Sequence, residues 1–162
     1  MTNTGTLHVT TPSDREITMT RVFDAPRTLV FDALTRPELV RRWLGALEGW
    51  TFAVCEIDAR VGGRYRYLWR HRDGSELGMQ GTFLEVTPPE RIVSTEVFDQ
   101  SWYEGEAVGT AVLTERDGKT TLSTTIRYGS REIRDSVLRS PMESGVAAGY
   151  DRLDELLAAR AT

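Results

Sequence analysis

Apolar residues first recur at every second position along the chain. Between residues 16 and 23, Ile17, Met19 and Phe23 alternate with polar neighbours, the period of a strand with one buried face. The period then lengthens. Leu29, Val30, Ala33 and Leu34 make a helical stripe behind Pro26, and Leu39, Val40 and Trp43 make a second behind Pro37. Proline suits a helix's first position, where its missing N–H would be unpaired anyway. After Gly49 alternation returns over residues 50–57, 64–72, 77–86, 91–98, 106–115 and 120–128. The links contain Gly62-Gly63, Asp73-Gly74, Pro88-Pro89 and Asp117-Gly118, and Asp-Gly between alternating runs marks a hairpin. Neighbours joined by such short turns predict an antiparallel meander.

The C-terminal segment is helical. A short piece over residues 131–138 precedes Ser140-Pro141-Met142-Glu143, which reads as a capping box with proline at the first helical position. Met142, Val146, Gly149, Tyr150, Leu153, Leu156 and Leu157 then follow helical spacing, opposite a face of Glu143, Asp151, Arg152, Asp154 and Glu155. This stripe must be buried, and the sheet is the partner long enough to bury it. The pattern therefore predicts an α+β arrangement: a curved antiparallel sheet of six to seven strands with a long C-terminal helix laid across it, and two short helices after the first strand. Residues 1–14, rich in Thr, Ser, Gly and Pro, read as a flexible tail, leaving 15–162 as one domain.

A widening sheet curls. A straight helix laid across its concave side touches it along a line and leaves space at one end. On the strand after Gly62-Gly63, Tyr65, Tyr67 and Trp69 point to one face and Arg64, Arg66, Arg70 and Arg72 to the other. Trp43, Phe52, Met79, Phe83, Glu96, Phe98, Met142, Val146 and Tyr150 are expected to share that aromatic interior, with Trp102 in a loop at its entrance. Gly145 and Gly149 each cost the helix about 1 kcal/mol relative to alanine, and serve either close packing or room for a ligand.

Composition narrows the functions. The 162 residues carry a net charge of −4 and a pI near 5.3, which disfavours nucleic acid as a partner. Cys55 is the only cysteine, so an internal disulfide and a thiol zinc site are both ruled out, and a buried structural thiol is expected. No apolar run reaches membrane-spanning length, and the N-terminus lacks a secretory pattern, so a cytoplasmic setting is the default expectation. No catalytic set, metal-ligand cluster or cofactor motif is evident. Glu96, in phase with Phe98, and His71, in phase with Trp69, are the candidate acid–base groups; the alternatives are a paired strand carboxylate and an exposed turn histidine. His8 lies in the tail and is discounted.

The strings APRTLVFDALTRPELVRRWLG, EIDARVGGRYRYLW, DGSELGMQGTFLEVTPPERIVSTEVF and MESGVAAGYDRLDELLA resemble the homologues of the activator of the heat-shock protein 90 ATPase, within the START-like superfamily of helix-grip folds. That resemblance runs from Glu16 to about Ala159. It implies a deep pocket between sheet and helix, and no invariant catalytic apparatus. The expected function is binding of a small hydrophobic or aromatic molecule, lipid or polyketide-like. A polyketide cyclase/aromatase-type or hydrolytic enzyme using the same cavity ranks second, and a co-chaperone of heat-shock protein 90 third. No stable membrane insertion is expected, and the edge strands leave monomer and homodimer open.

Overall fold

The computed structural model describes residues 6–45, 48–100, 103 and 105–160. In chain order the elements are β1 (His8–Thr10), β2 (Glu16–Phe23), α1 (Arg27–Thr35), α2 (Pro37–Val40), β3 (Trp50–Ile57), β4 (Arg64–His71), β5 (Glu76–Thr87), β6 (Arg91–Phe98), β7 (Ala107–Arg116), β8 (Lys119–Arg127), α3 (Arg131–Arg139) and α4 (Met142–Arg160). The strands form one sheet in the order β1-β2-β8-β7-β6-β5-β4-β3, antiparallel throughout. Strands β3 to β8 are a plain meander. β2 closes it on the far side by pairing with β8, and α1 and α2 carry the chain across to β3.

The sheet has eight strands, not six or seven. The additional strand, His8–Thr10, comes from within the segment expected to be a tail. Val9 pairs with Met19, and Leu7 and Val9 pack against the core, which holds this short edge in place. Ser140 also differs from expectation: its hydroxyl donates to the Val137 carbonyl at 2.6 Å and so caps the end of α3 instead of the start of α4. Pro26 stands at the N-cap of α1, one position before that expected, while Pro37 opens α2 as read.

Cross-strand partners lie on one face, so the register defines the concave surface. Ile17, Met19, Arg21 and Phe23 of β2 oppose Ile126, Thr124, Leu122 and Thr120 of β8. Next come Ala107, Gly109, Ala111 and Leu113 of β7, then Ile92, Ser94, Glu96 and Phe98 of β6. Met79 and Phe83 of β5 and Tyr65, Tyr67 and Trp69 of β4 complete it.

α4 lies over this surface unevenly. Its C-terminal part buries Gly149, Tyr150, Leu153, Leu156 and Leu157 with Phe23, Val30, Phe31, Val40 and Trp43 in the main core. Leu153 and Leu157, at 0% and 1% exposure, each contribute about 2 kcal/mol of apolar burial. A clamp reinforces the contact. Arg21, buried on the concave face, donates to Asp151 at 2.7 Å and Asp154 at 3.3 Å and lies 5.4 Å from the Phe23 ring. The N-terminal part is looser: Met142 and Val146 are half-buried and join a smaller cluster of Ile17, Met19, Ala107, Tyr128 and Val137.

Candidate ligand-binding recess

Between the two clusters, small side chains occupy the middle of the concave surface. Ser94, Gly109, Ala111 and Thr124 stand side by side across β6, β7 and β8, and all four are half-buried. A Cβ added at Gly109 would meet nothing nearer than the Ser94 carbonyl, at 4.0 Å. Apart from its chain neighbours, a Cβ there would touch only this backbone atom, with no side chain within 4 Å. Val146 of α4 packs against both clusters and so bridges the two sides of this hollow.

Glu96 stands at one end. It pairs across the sheet with Ala107 and follows Ser94 on the same face. Protein surrounds it almost completely, yet the residue retains solvent-accessible surface, as expected of a group lining a recess. Desolvation pushes its carboxyl up to about 7 from the usual 4.5. Three tyrosines feel its charge: Tyr65 from β4, Tyr103 from the β6–β7 connection and Tyr128 just after β8. Burial is the leading cause that raises each of them, Tyr103 to about 12, so all three stay protonated hydroxyls. Phe98, Tyr103 and Tyr128 form a row of edge-on rings with centroids 6.5 Å and 5.8 Å apart.

The β5–β6 ladder opens beside Glu96. Pairing passes from Gln80↔Val97 to Phe83↔Ser94. In the gap the Thr82 N–H bonds the Thr95 hydroxyl at 2.9 Å, and the Tyr65 hydroxyl donates to the Thr95 carbonyl at 2.6 Å. Gly81 is required there, because a side chain would collide with the Tyr65 ring and the Thr95 carbonyl. On the outer face this opening borders a polar groove of about 330 Å³ edged by Glu56, Arg64, Arg66, Gln80 and Glu106. A second groove of about 380 Å³ lies by Arg70, His71 and Arg72.

The residues proposed from sequence separate into groups. Trp43, Tyr65, Tyr67, Trp69, Phe83 and Tyr150 are buried in the main core, with Phe52 packed against it. The Trp43 N–H is spent on the Ala33 carbonyl at 2.8 Å and the Trp69 N–H on the Leu44 carbonyl at 3.3 Å, while the Phe52 and Trp69 rings lie 4.8 Å apart. Met79, Glu96, Phe98, Met142 and Val146 are half-buried on the elements that frame the recess. Trp102 lies outside the described residues. His71 sits at the sheet's far edge, against the Trp50 ring at 5.0 Å and Asp73 at 3.1 Å. Cys55 is buried, its thiol pushed up to about 11 by burial and 3.7 Å from the Pro37 carbonyl. Tyr103, Tyr128, Ser94, Gly109, Ala111 and Thr124 were not singled out. Their signal was the run of small residues in phase along β7: Ala107, Gly109 and Ala111.

Among the described residues no cluster of three or more His, Cys, Asp or Glu is placed to hold a metal ion, and no helix is long and apolar enough to cross a membrane.

A large antiparallel sheet covered by a long C-terminal helix is the START-like helix-grip architecture. The chain belongs to the Activator of Hsp90 ATPase homolog 1-like family, whose model matches residues 24–158. A crystal structure of a protein from Rhodobacter sphaeroides is similar at 30% identity and a TM-score of 0.90, with 95% of this chain and 99% of that one covered. One from Chromobacterium violaceum has 29% identity and a TM-score of 0.74, covering 88% and 96%. One from Mycobacterium smegmatis, at 24% identity, shares the fold with a TM-score of 0.81 and coverage of 94% and 98%. No curated protein matches the chain.

Proposed function

We propose that this protein binds a small, largely apolar molecule in the recess between the N-terminal part of α4 and the concave face of β6–β8. The supporting observation is Gly109: a half-buried position on the covered face where no side chain comes within 4 Å of an added Cβ. Ligand pockets are concave and mostly apolar with a few placed polar groups, and Ser94, Glu96, Thr124 and the tyrosine hydroxyls are such groups. The buried aromatics of β3 and β4 act as the wall behind the site.

Titration with Nile red, a neutral apolar dye, tests this. Binding should weaken about tenfold, or about 1.4 kcal/mol, in Gly109→Val, whose isopropyl group would take up the space over β7, and stay unchanged in Gln80→Leu on the outer face. Equal binding by all three proteins, or none by any, would overturn the reading.

A second reading has one observation in its favour. A carboxyl that titrates near neutrality can donate a proton, so Glu96 would be the acid of a cyclase-type or hydrolytic reaction. Turnover that survives Glu96→Gln would remove it. Stimulation of the heat-shock protein 90 ATPase, the activity in the family's description, would act through the surface and ranks behind both.

A further inference from the structure

We infer that the recess selects a lipophilic amine: one protonated nitrogen seated against Glu96, with an apolar body of one or two rings lying over Ser94 and Gly109. The inference rests on the ligand-binding reading above and specifies the chemistry of that same site.

Three observations carry it. First, Glu96 is an acid enclosed by protein with no counter-cation among the described residues. The groups facing it are Tyr65 from β4, Tyr103 from the β6–β7 connection and Tyr128 from the end of β8, and none can become positive. The two buried arginines are engaged elsewhere, Arg21 with Asp151 and Asp154, and Arg134 with the Ser13 carbonyl and Asp135. Burying an unpaired carboxyl destabilises a fold, and glutamine would fill the same space without that penalty. An acid in this place is explained if the missing charge arrives with the ligand. Second, Tyr103 and Tyr128 lie close enough to feel its charge, and Phe98, two residues on in β6, shares its face and joins them in the row of rings. Aromatic rings and a carboxylate together are the groups that recognise an ammonium, by cation–π attraction and a charge-assisted hydrogen bond. Third, the open space over Gly109 leaves room for the apolar body next to the charge.

The same site discriminates against the alternatives. An anionic ligand would face Glu96 as a like charge, and a neutral one would gain only the apolar contact.

The test uses three molecules with one body: 2-naphthylmethylamine, 2-naphthylmethanol and 2-naphthoate, each displacing Nile red. At about pH 8, where Glu96 is ionised and the amine protonated, the amine should bind at least about tenfold tighter than the alcohol, and the naphthoate weakest. The amine's affinity should fall about thirtyfold on going to about pH 5.5, because Glu96 must give up its proton first, while the alcohol's stays flat. Glu96→Gln should abolish the amine's preference over the alcohol, whereas Gln80→Leu on the outer face should keep both that preference and the binding of Nile red. If amine and alcohol bind alike and Nile red still binds, the amine inference fails and the ligand-binding reading stands. If Nile red itself does not bind, both fail.

Discussion

Glu96→Gln changes the charge at the recess while keeping the side chain's shape. In the folded protein the Glu96 carboxyl titrates near about 7, against 4.5 for an ordinary glutamate. Between those two values the unfolded chain has released the proton and the folded chain still holds it. The native state therefore loses stability as pH rises through that window and levels off above it. At about 1.4 kcal/mol per pH unit, the loss approaches about 3 kcal/mol. Glutamine does not titrate, so the variant should gain on the wild type by that amount between about pH 4 and about pH 8. Other carboxyls cancel from the difference. Asp99, held low by its hydrogen bonds from Arg66, and Asp154, raised by burial against the pull of Arg21, titrate in both proteins. Urea unfolding followed by tryptophan fluorescence at several pH values gives the comparison. With a slope of about 2 kcal/mol/M, the variant's midpoint should move about 1.5 M above that of the wild type at the alkaline end. Two curves that run parallel across the whole range would refute the placement of Glu96 in a desolvated site without a cation.

Other perturbations have definite signs. Leu153→Ala empties a fully buried position and should cost about 2–5 kcal/mol by denaturant unfolding. Arg21→Ala removes a buried side chain and leaves the half-buried Asp154 without its partner, and should cost about 1–3 kcal/mol, whereas Asp151→Ala, on the exposed side of the clamp, should cost less than about 1 kcal/mol. A helix glycine and a strand glycine should part company. Gly145→Ala, exposed in α4 with nothing near a new Cβ, should raise stability by about 1 kcal/mol, and Gly81→Ala, which drives a methyl into the Tyr65 ring and the Thr95 carbonyl, should lower it by about 1–3 kcal/mol.

Elements whose faces differ strongly in polarity were readable from the chain alone. β4 shows this most clearly: Tyr65, Tyr67 and Trp69 inward and Arg64, Arg66 and Arg70 outward follow directly from a period of two. The leucines of α4 show it at a period of 3.6. Arg21 was hidden for the opposite reason. It occupies an inward position between Met19 and Phe23, and only the acids of α4, more than a hundred residues away in sequence, make a charge acceptable there. His8–Thr10 is too short to give a period, although Leu7 and Val9 do alternate. Ser140 could cap either of two adjacent helices, and the local string cannot choose between them. The proposed recess follows from curvature, but which residues would border it was not legible. Large rings attract a reading of the sequence, and here they mostly fill the core; the hollow is marked by what is small, Ser94, Gly109, Ala111 and Thr124.

The most direct test of a reachable hollow under α4 is chemical-shift mapping by NMR as a neutral apolar probe such as 2-naphthylmethanol is added. The account predicts shifts concentrated at Ser94, Glu96, Phe98, Gly109, Thr124 and Val146, with the Glu96 carboxyl carbon moving among them. Shifts confined to Arg64, Arg66 and Gln80 on the outer face, or none at saturating probe, would contradict it.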